Sequence, residues 1–219
     1  MRERPILYIG PMVRATLEGL KKQTRRVVKG DPKRLSFSPF ACKHDDYLDE
    51  HGNQYSCPYG VPGDRLWVKE TFYAWGTWEQ YYDGNKKRCR FLDHTDSKHP
   101  VKYPATEGNR FYQGPSNGGD DYHCRPSIFM KRKYSRITLD VTDVRVERVQ
   151  NVSEKDSRSE GIFETPRDPG FESWSTYGMR EYYATPRRAF KALWDSINAK
   201  RGYSWESNPL VWVVEFRVM

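Results

Sequence analysis

The chain has 219 residues, 37 Lys/Arg against 29 Asp/Glu for a formal net charge of +8, and a pI of about 9.2. Apolar residues are only 37%, the mean hydropathy is −0.92 and no apolar run reaches the ~20 residues of a membrane-spanning helix. The charge suits a polyanion partner, the 15% aromatic content puts burial on rings, and a start of Met1-Arg2-Glu3-Arg4-Pro5 without an apolar run leads to a cytoplasmic expectation.

Ile6-Leu7-Tyr8-Ile9 reads as a short strand closed by Gly10-Pro11. Met12, Val13, Thr16, Leu17 and Leu20 recur near a helical period, with Gly19 close to the end. Gly19-Leu20-Lys21-Lys22-Gln23-Thr24-Arg25-Arg26 follows and runs into a strand around 24–28. From Pro11 to Arg34, eight cations stand against Glu18 and Asp31, a net +6 of the chain's +8. Such a field favours a polyanion. A solvated basic turn is the plainer reading of the same charges.

Residues 29–57 are broken by Gly30, Pro32 and Pro39 and read as a first irregular insertion. The turn Val61-Pro62-Gly63-Asp64 feeds a strand, Arg65–Phe72, as in small barrels. Residues 76–126 read as a second insertion, rich in Gly, Asn, Asp and Tyr, with Gly114–Asp120 as loop and no assignable hairpin. Arg125–Arg136 is a second basic cluster: a further arm of a binding groove, or a solvated approach to a strand. Ile137–Val149 alternates almost perfectly and predicts a strand with one buried face. Ser153-Glu154-Lys155-Asp156 predicts a capped short helix reaching Glu160, with Gly161 as its stop. Residues 164–184 read as loop, leaving Trp174 and Tyr177 without a role. Thr185-Pro186 opens a helix to about residue 199, with Phe190, Leu193, Trp194 and Ile197 as its apolar stripe. Leu210–Val218 predicts a central strand.

Four of these segments resemble ASCH domains. Leu17–Arg26 is similar to the family's helix-exit motif, Gly-Arg-Lys-Thr-x-Thr-x-Arg. Pro62–Val68 resembles its Gly-Asp-x-φ-x-Val strand, Val152–Gly161 its short helix ending in Glu-Gly, and Trp212–Phe216 its terminal strand. The long form, with Cys57-Pro58-Tyr59-Gly60 and Arg125-Pro126-Ser127-Ile128 before its strands, looks like ASCH proteins of phages and prophages. The resemblance implies an α+β, PUA-like fold: one domain over 1–219, a small mixed β-barrel with flanking helices and the two irregular insertions. It implies action on, or binding of, RNA or a modified nucleoside, with DNA as the alternative polymer. Its most specific form is hydrolysis of an N-acyl cytidine amide, as in bacterial N(4)-acetylcytidine amidohydrolases. A ribonuclease and a non-catalytic module recognising a modified base are the alternatives. Carried over motif to motif, the catalytic residues fall on Lys21, Thr24 and Glu160. Leu20 and Lys22 depart from the motif, where the family has Arg and Thr.

The residues themselves allow that chemistry. A Thr hydroxyl needs a neighbouring base to attack an amide, and Lys21 can serve if burial or nearby cations depress its pKa. Glu160 can hold or protonate the leaving amine. Thr24 as a helix end and Glu160 as a solvated carboxylate is the plainer alternative. Candidates for holding substrate or phosphate are Lys22, Arg25, Arg26, Arg132 and Arg136, with Trp67 or Tyr134 offering a stacking face and Trp67 equally a core residue. Four cysteines in a cytosolic protein suggest free thiols or metal ligands. Cys42, His44, Cys57, His123 and Cys124 lack the close ligand pairs typical of zinc sites, so no metal is assigned. No cofactor is expected, because no Gly-rich phosphate loop precedes a helix.

Overall fold

The computed structural model describes residues 1–30, 32–33, 35–37, 46–108, 119–165 and 173–219. A five-stranded mixed sheet organises them. It comprises β1 (Glu3–Leu7), β2 (Gln23–Val27), β6 (Arg65–Lys69), β10 (Thr138–Arg148) and β13 (Leu210–Val218), in the order β1-β6-β10-β13-β2. β1 and β6 run parallel; the other pairs are antiparallel.

β13 is buried on both faces. Trp212, Val214 and Phe216 point into a core with Ile6, Tyr8, Leu66, Val68 and Leu139. Val211 and Val213 point into a second core with Val149, Phe190, Leu193 and Trp194. Helix α1 (Gly10–Leu17) covers the first face; α3 (Glu154–Ser159) and α4 (Pro186–Asn198) cover the second.

The alternation of β10 holds only because of a bulge. Register shifts between Val141 and Asp143, so Thr142 is the extra residue. Leu139 and Val141 before it, and Val144 and Val146 after it, therefore reach the same core although their parity changes. The same shift turns Glu147 to the face of Val211, beside α3.

Mixed strand pairing agrees with the α+β expectation, but the expected barrel does not close. β1 and β2 are the two edges of the sheet and do not pair. Side chains bridge them instead: Arg26 Nη2 donates to the Leu7 carbonyl at 2.7 Å, and its guanidinium lies 5.6 Å from the Tyr8 ring centroid. The chain leaves β1 at Leu7 to start α1 at Gly10, so no backbone remains there to complete the ladder.

Both insertions contain sheet where irregular chain was expected. In the first, β3 (Ser36–Phe37), β4 (Asp46–Leu48) and β5 (Gln54–Ser56) form a small antiparallel sheet. Its Tyr47 packs edge-on against Trp212 at 5.2 Å. In the second, β7 (Phe72–Asp83), β8 (Lys86–Asp93) and β9 (Asp121–Arg125) form a three-stranded sheet, β8-β7-β9. β8 is Lys-Lys-Arg-Cys-Arg-Phe-Leu-Asp, exposed through its first five residues, so it has no buried face to write an alternation into the sequence. A helical turn, α2 (Pro104–Glu107), covers part of the first core through Ala105. Between 164 and 184, β11 (Phe163–Glu164) pairs with β12 (Trp174–Ser175). Trp174 belongs to the second core, and Tyr177 donates to Glu18. Cys42, His44 and Gly114–Gly118 lie outside the described residues. No helix among those described is long and apolar enough to cross a membrane.

Candidate functional site

Lys21 is set in place by backbone before its side chain acts. After α1, the Leu20 and Lys21 amides both donate to Ala15 O at 2.9 Å, ending the helix. Lys21 then forms an isolated antiparallel bridge with Glu160. The Lys22 amide donates to Ser159 O at 2.8 Å, and Phe216 N donates to Lys22 O at 2.9 Å. The segment is thus clamped between the end of α3 and β13.

Glu160 is positioned by α3. The Ser153 hydroxyl accepts from Asp156 N at 3.0 Å, the cap its spacing predicts. Glu160 is the C-cap, and Gly161 follows at φ 95°. A Cβ on Gly161 would lie 2.9 Å from the Ala15 Cβ, so conformation and close approach to α1 both call for glycine here.

Lys21 Nζ donates to Glu160 Oε2 at 2.7 Å and to Glu160 O at 3.0 Å. Arg25 Nη1 donates to Glu160 Oε1 at 3.1 Å, and its Nη2 to Glu147 Oε2 at 3.1 Å, with Asp156 Oδ2 at 3.5 Å. Lys21, Glu160 and Arg25 are all buried. Arg145 closes the group on its solvent side, donating to Glu147 Oε1 at 2.6 Å. Lys21 and Arg25 thus face Glu160, Glu147 and Asp156, and Arg145 links this group outward to Glu215 at 2.5 Å and Asp143 at 3.4 Å. Burial lowers the Lys21 pKa below its ordinary value, and Glu160 opposes this only in part.

Thr24 is buried on the opposite face of β2 from Arg25, paired in register with Val214. The extended backbone cancels the helical neighbour relation that its spacing from Lys21 would otherwise give. No hydrogen bond joins the Thr24 hydroxyl to Lys21 or Glu160 among the described contacts. Thr24 instead acts on the Tyr8 hydroxyl, which is buried without a hydrogen-bond partner of normal geometry among the described residues. Burial strongly raises the Tyr8 pKa, so the phenol is neutral. Lys21 Nζ lies 5.9 Å from the Tyr8 ring centroid. Tyr8 is therefore the residue between Lys21 and Thr24, and its place in the Ile6–Ile9 strand carried no sign of that.

A cavity of about 440 Å³ opens along the free edge of β2. Glu160, Arg25, Arg26 and Lys29 line its charged side; Phe190, Leu193, Trp194 and Ile197 of α4 line its apolar side. Met12, Val27, Tyr59, Asn198, Arg201 and Tyr203 complete the wall. The volume lies in the range of small-molecule sites. The α4 stripe reads as pure core in the sequence, yet part of it faces this opening. Lys21 and Thr24 do not line it.

The basic candidates separate. Lys22 is exposed, while Arg26 lies half-buried at the cavity. Arg25 is committed to three carboxylates, so its expected availability to phosphate gives way to an internal role. Arg132 pairs with Glu3, and Arg136 makes a two-pronged contact to buried Glu70 at 2.9 and 3.0 Å. Trp67 is half-buried, 5.5 Å from Lys69 Nζ and 6.0 Å from the Arg132 guanidinium. None of Arg132, Arg136 and Trp67 lines the cavity, so the two basic clusters do not flank one cleft. Cys57 is buried and its thiol is pushed up to about 11 by burial; Cys89 and Cys124 are exposed. Among the described residues, no three His, Cys, Asp or Glu side chains come together as a metal site.

No protein-family model, characterised protein or solved structure matches the chain.

Proposed function

We propose that the chain is an ASCH-type protein of PUA-like fold that acts on a modified nucleoside, free or within RNA, with hydrolysis of an N-acyl cytidine amide as its specific form. One observation carries the proposal. Lys21 and Glu160, 139 positions apart, meet at 2.7 Å behind a cavity with one apolar and one cationic wall. Such a cavity suits a planar base flanked by polar groups.

In this reading the apolar side of α4 holds the base, and Arg26 and Lys29 hold the sugar or phosphate. Lys21, with its proton affinity lowered by burial, passes a proton to Glu160 and, then neutral, accepts the proton of the attacking hydroxyl. The acyl C–N bond breaks and the exocyclic amine leaves with a proton delivered through Glu160. If Thr24 is the attacking group, water then releases the acyl chain as a carboxylate and restores the hydroxyl. Thr24 and Lys21 reach substrate only if the Tyr8 side of the cavity opens.

That requirement supports a second reading, a module that binds a modified base without turnover. Both Glu160 carboxylate oxygens are occupied, and Thr24 is sealed beside Tyr8. Incubation with N(4)-acetylcytidine, following acetate, separates the two. Release by the wild type and its loss in Lys21→Ala and Thr24→Val, each checked for folding by circular dichroism, is the expected result. Binding of the nucleoside without acetate release overturns the hydrolase and leaves the module.

A further inference from the structure

The second insertion builds a surface away from the cavity. Beyond Gly76, β7 and β8 continue as a two-stranded ribbon from Thr77–Leu92 to Asp83–Lys86. Its two faces differ in chemistry. On one, both acids are taken up by cations, Arg90 Nε 2.6 Å from Glu79 and Arg88 Nε 2.9 Å from Asp83, leaving Tyr81 and Lys86. The other carries Trp78, Gln80 and Tyr82 from β7, with Phe91, Cys89 and Lys87 opposite them. From Trp78 to the tip this face has no acid.

Its rings are open to solvent. Trp78 is 48% exposed, Tyr82 73% and Phe129, in the adjoining 3-10 turn Ser127–Phe129, 58%. The Arg125 guanidinium lies among them, 4.8 Å from Trp78, 4.5 Å from Phe91 and 4.9 Å from Phe129. At the base of the face Asp93 is held by Lys131 at 2.7 Å and by Tyr134 at 2.8 Å, and Asp121 accepts from Tyr122 N. Exposed aromatic planes, interleaved cations and the lack of any acid from Trp78 to the tip match a stacked, anionic chain. The match favours the Trp78 side, which has the more exposed rings and no acid from Trp78 to the tip, whereas the Glu79 side carries Glu79 and Asp83 and one ring, Tyr81, with Arg90 5.5 Å from its centroid.

We propose that this face of the ribbon binds single-stranded nucleic acid, with bases stacking on Trp78, Tyr82 and Phe129 and phosphates meeting Lys87 and Arg125. A duplex hides its base faces and offers these rings nothing to stack on. The surface shares no residue with the cavity wall, so it stands independently of the acyl-amide reading.

The test is fluorescence anisotropy with labelled single-stranded RNA and DNA of about 12 nucleotides, within the span of known single-strand sites. Matching duplexes and anionic phosphatidylserine vesicles serve as competitors. Wild-type protein is expected to bind single strands with a steep salt dependence. Trp78→Ala and Tyr82→Ala should each weaken binding about tenfold, Trp78→Phe should retain it, and Lys87→Ala should reduce the salt slope. Unchanged affinity in the Trp78→Ala/Tyr82→Ala double variant overturns the proposal, as does a preference for duplex or vesicles. Acetate release from the free nucleoside, measured in parallel, should be equal in wild type and the double variant. Its absence from the wild type tells against the hydrolase and leaves the ribbon result standing.

Discussion

Lys21 is the side chain on which the stability of the site turns, and with it the chemistry proposed for it. It is fully buried, and its Nζ hydrogen bonds go to the side chain and carbonyl of Glu160. Stranding one charge of a buried ion pair costs about 3–5 kcal/mol; Glu160 keeps Arg25 at 3.1 Å when Lys21 is removed, so the lower end of that range applies here. Lys21→Met is therefore expected to lower the unfolding free energy by about that amount in urea titration, with the slope unchanged. Lys21→Met/Glu160→Met should recover part of the loss, because the under-paired buried carboxylate is then gone while Arg25 keeps Glu147 and Asp156. Cys57 offers a second measurement at this scale. A thiol pushed up to about 11 has almost no thiolate at neutral pH. Alkylation mapped by mass spectrometry at pH 7 is expected to mark Cys89 and Cys124 well before Cys57; equal rates would show that the first core opens readily. The sequence names Lys21 and Glu160 as candidates but is silent on Tyr8, because its contacts to Lys21, Thr24 and Arg26 are made only in the folded chain and leave no mark on the residues beside it.

At the scale of elements, helices were legible wherever local chemistry sets their ends. Ser153, Thr185-Pro186 and Gly161 act within a few residues of themselves, and the observed α3 and α4 start and stop where they dictate. Ser153→Ala removes the cap on α3 and is expected to cost about 1 kcal/mol by chemical denaturation. Because α3 carries Glu160, the same change should weaken nucleoside binding, measurable by calorimetry. The β7–β8 ribbon was not legible, since its outer half is exposed on both faces. Its base, however, is pinned electrostatically. Burial pushes Asp93 up, but hydrogen bonds from Lys131, Thr95 and Tyr134 win and hold it at about 2, below an ordinary 3.8. Between those values the unfolded chain binds the proton and the folded chain does not, so stability falls as pH drops through this window. Asp93→Asn should flatten the acid limb between pH 4 and 2 in fluorescence-monitored unfolding, while leaving neutral-pH binding of the nucleoside intact.

At the scale of the molecule, two cores share one sheet and the ribbon leaves it as an appendage. No residue from Glu79 to Arg90 is buried. Replacing 79–90 by an Asn-Gly turn keeps Trp78 and Phe91 and closes the strands with a favoured two-residue loop. The melting temperature is expected to stay within a few degrees of wild type by calorimetry, whereas single-strand binding should be lost. A large drop in melting temperature would mean that the ribbon supports the cores.

What the sequence determined by itself was local: the central strand Leu210–Val218 and the capped helices. These follow from periodicity and capping, which act over a few residues. Tertiary structure alone decided three things. It left the sheet open between β1 and β2, where Arg26 reaches Leu7 O in place of a backbone ladder. It turned Arg25 inward, because three carboxylates from β10, α3 and the end of α3 converge on it. It separated the second basic cluster from the cavity, because the 3-10 turns that carry most of it sit beside β1, where Arg132 pairs with Glu3, at the opposite edge of the sheet from β2. Each of these depends on residues more than a hundred positions apart or on which edge of a sheet remains unpaired. Neither is written in any window of neighbouring residues.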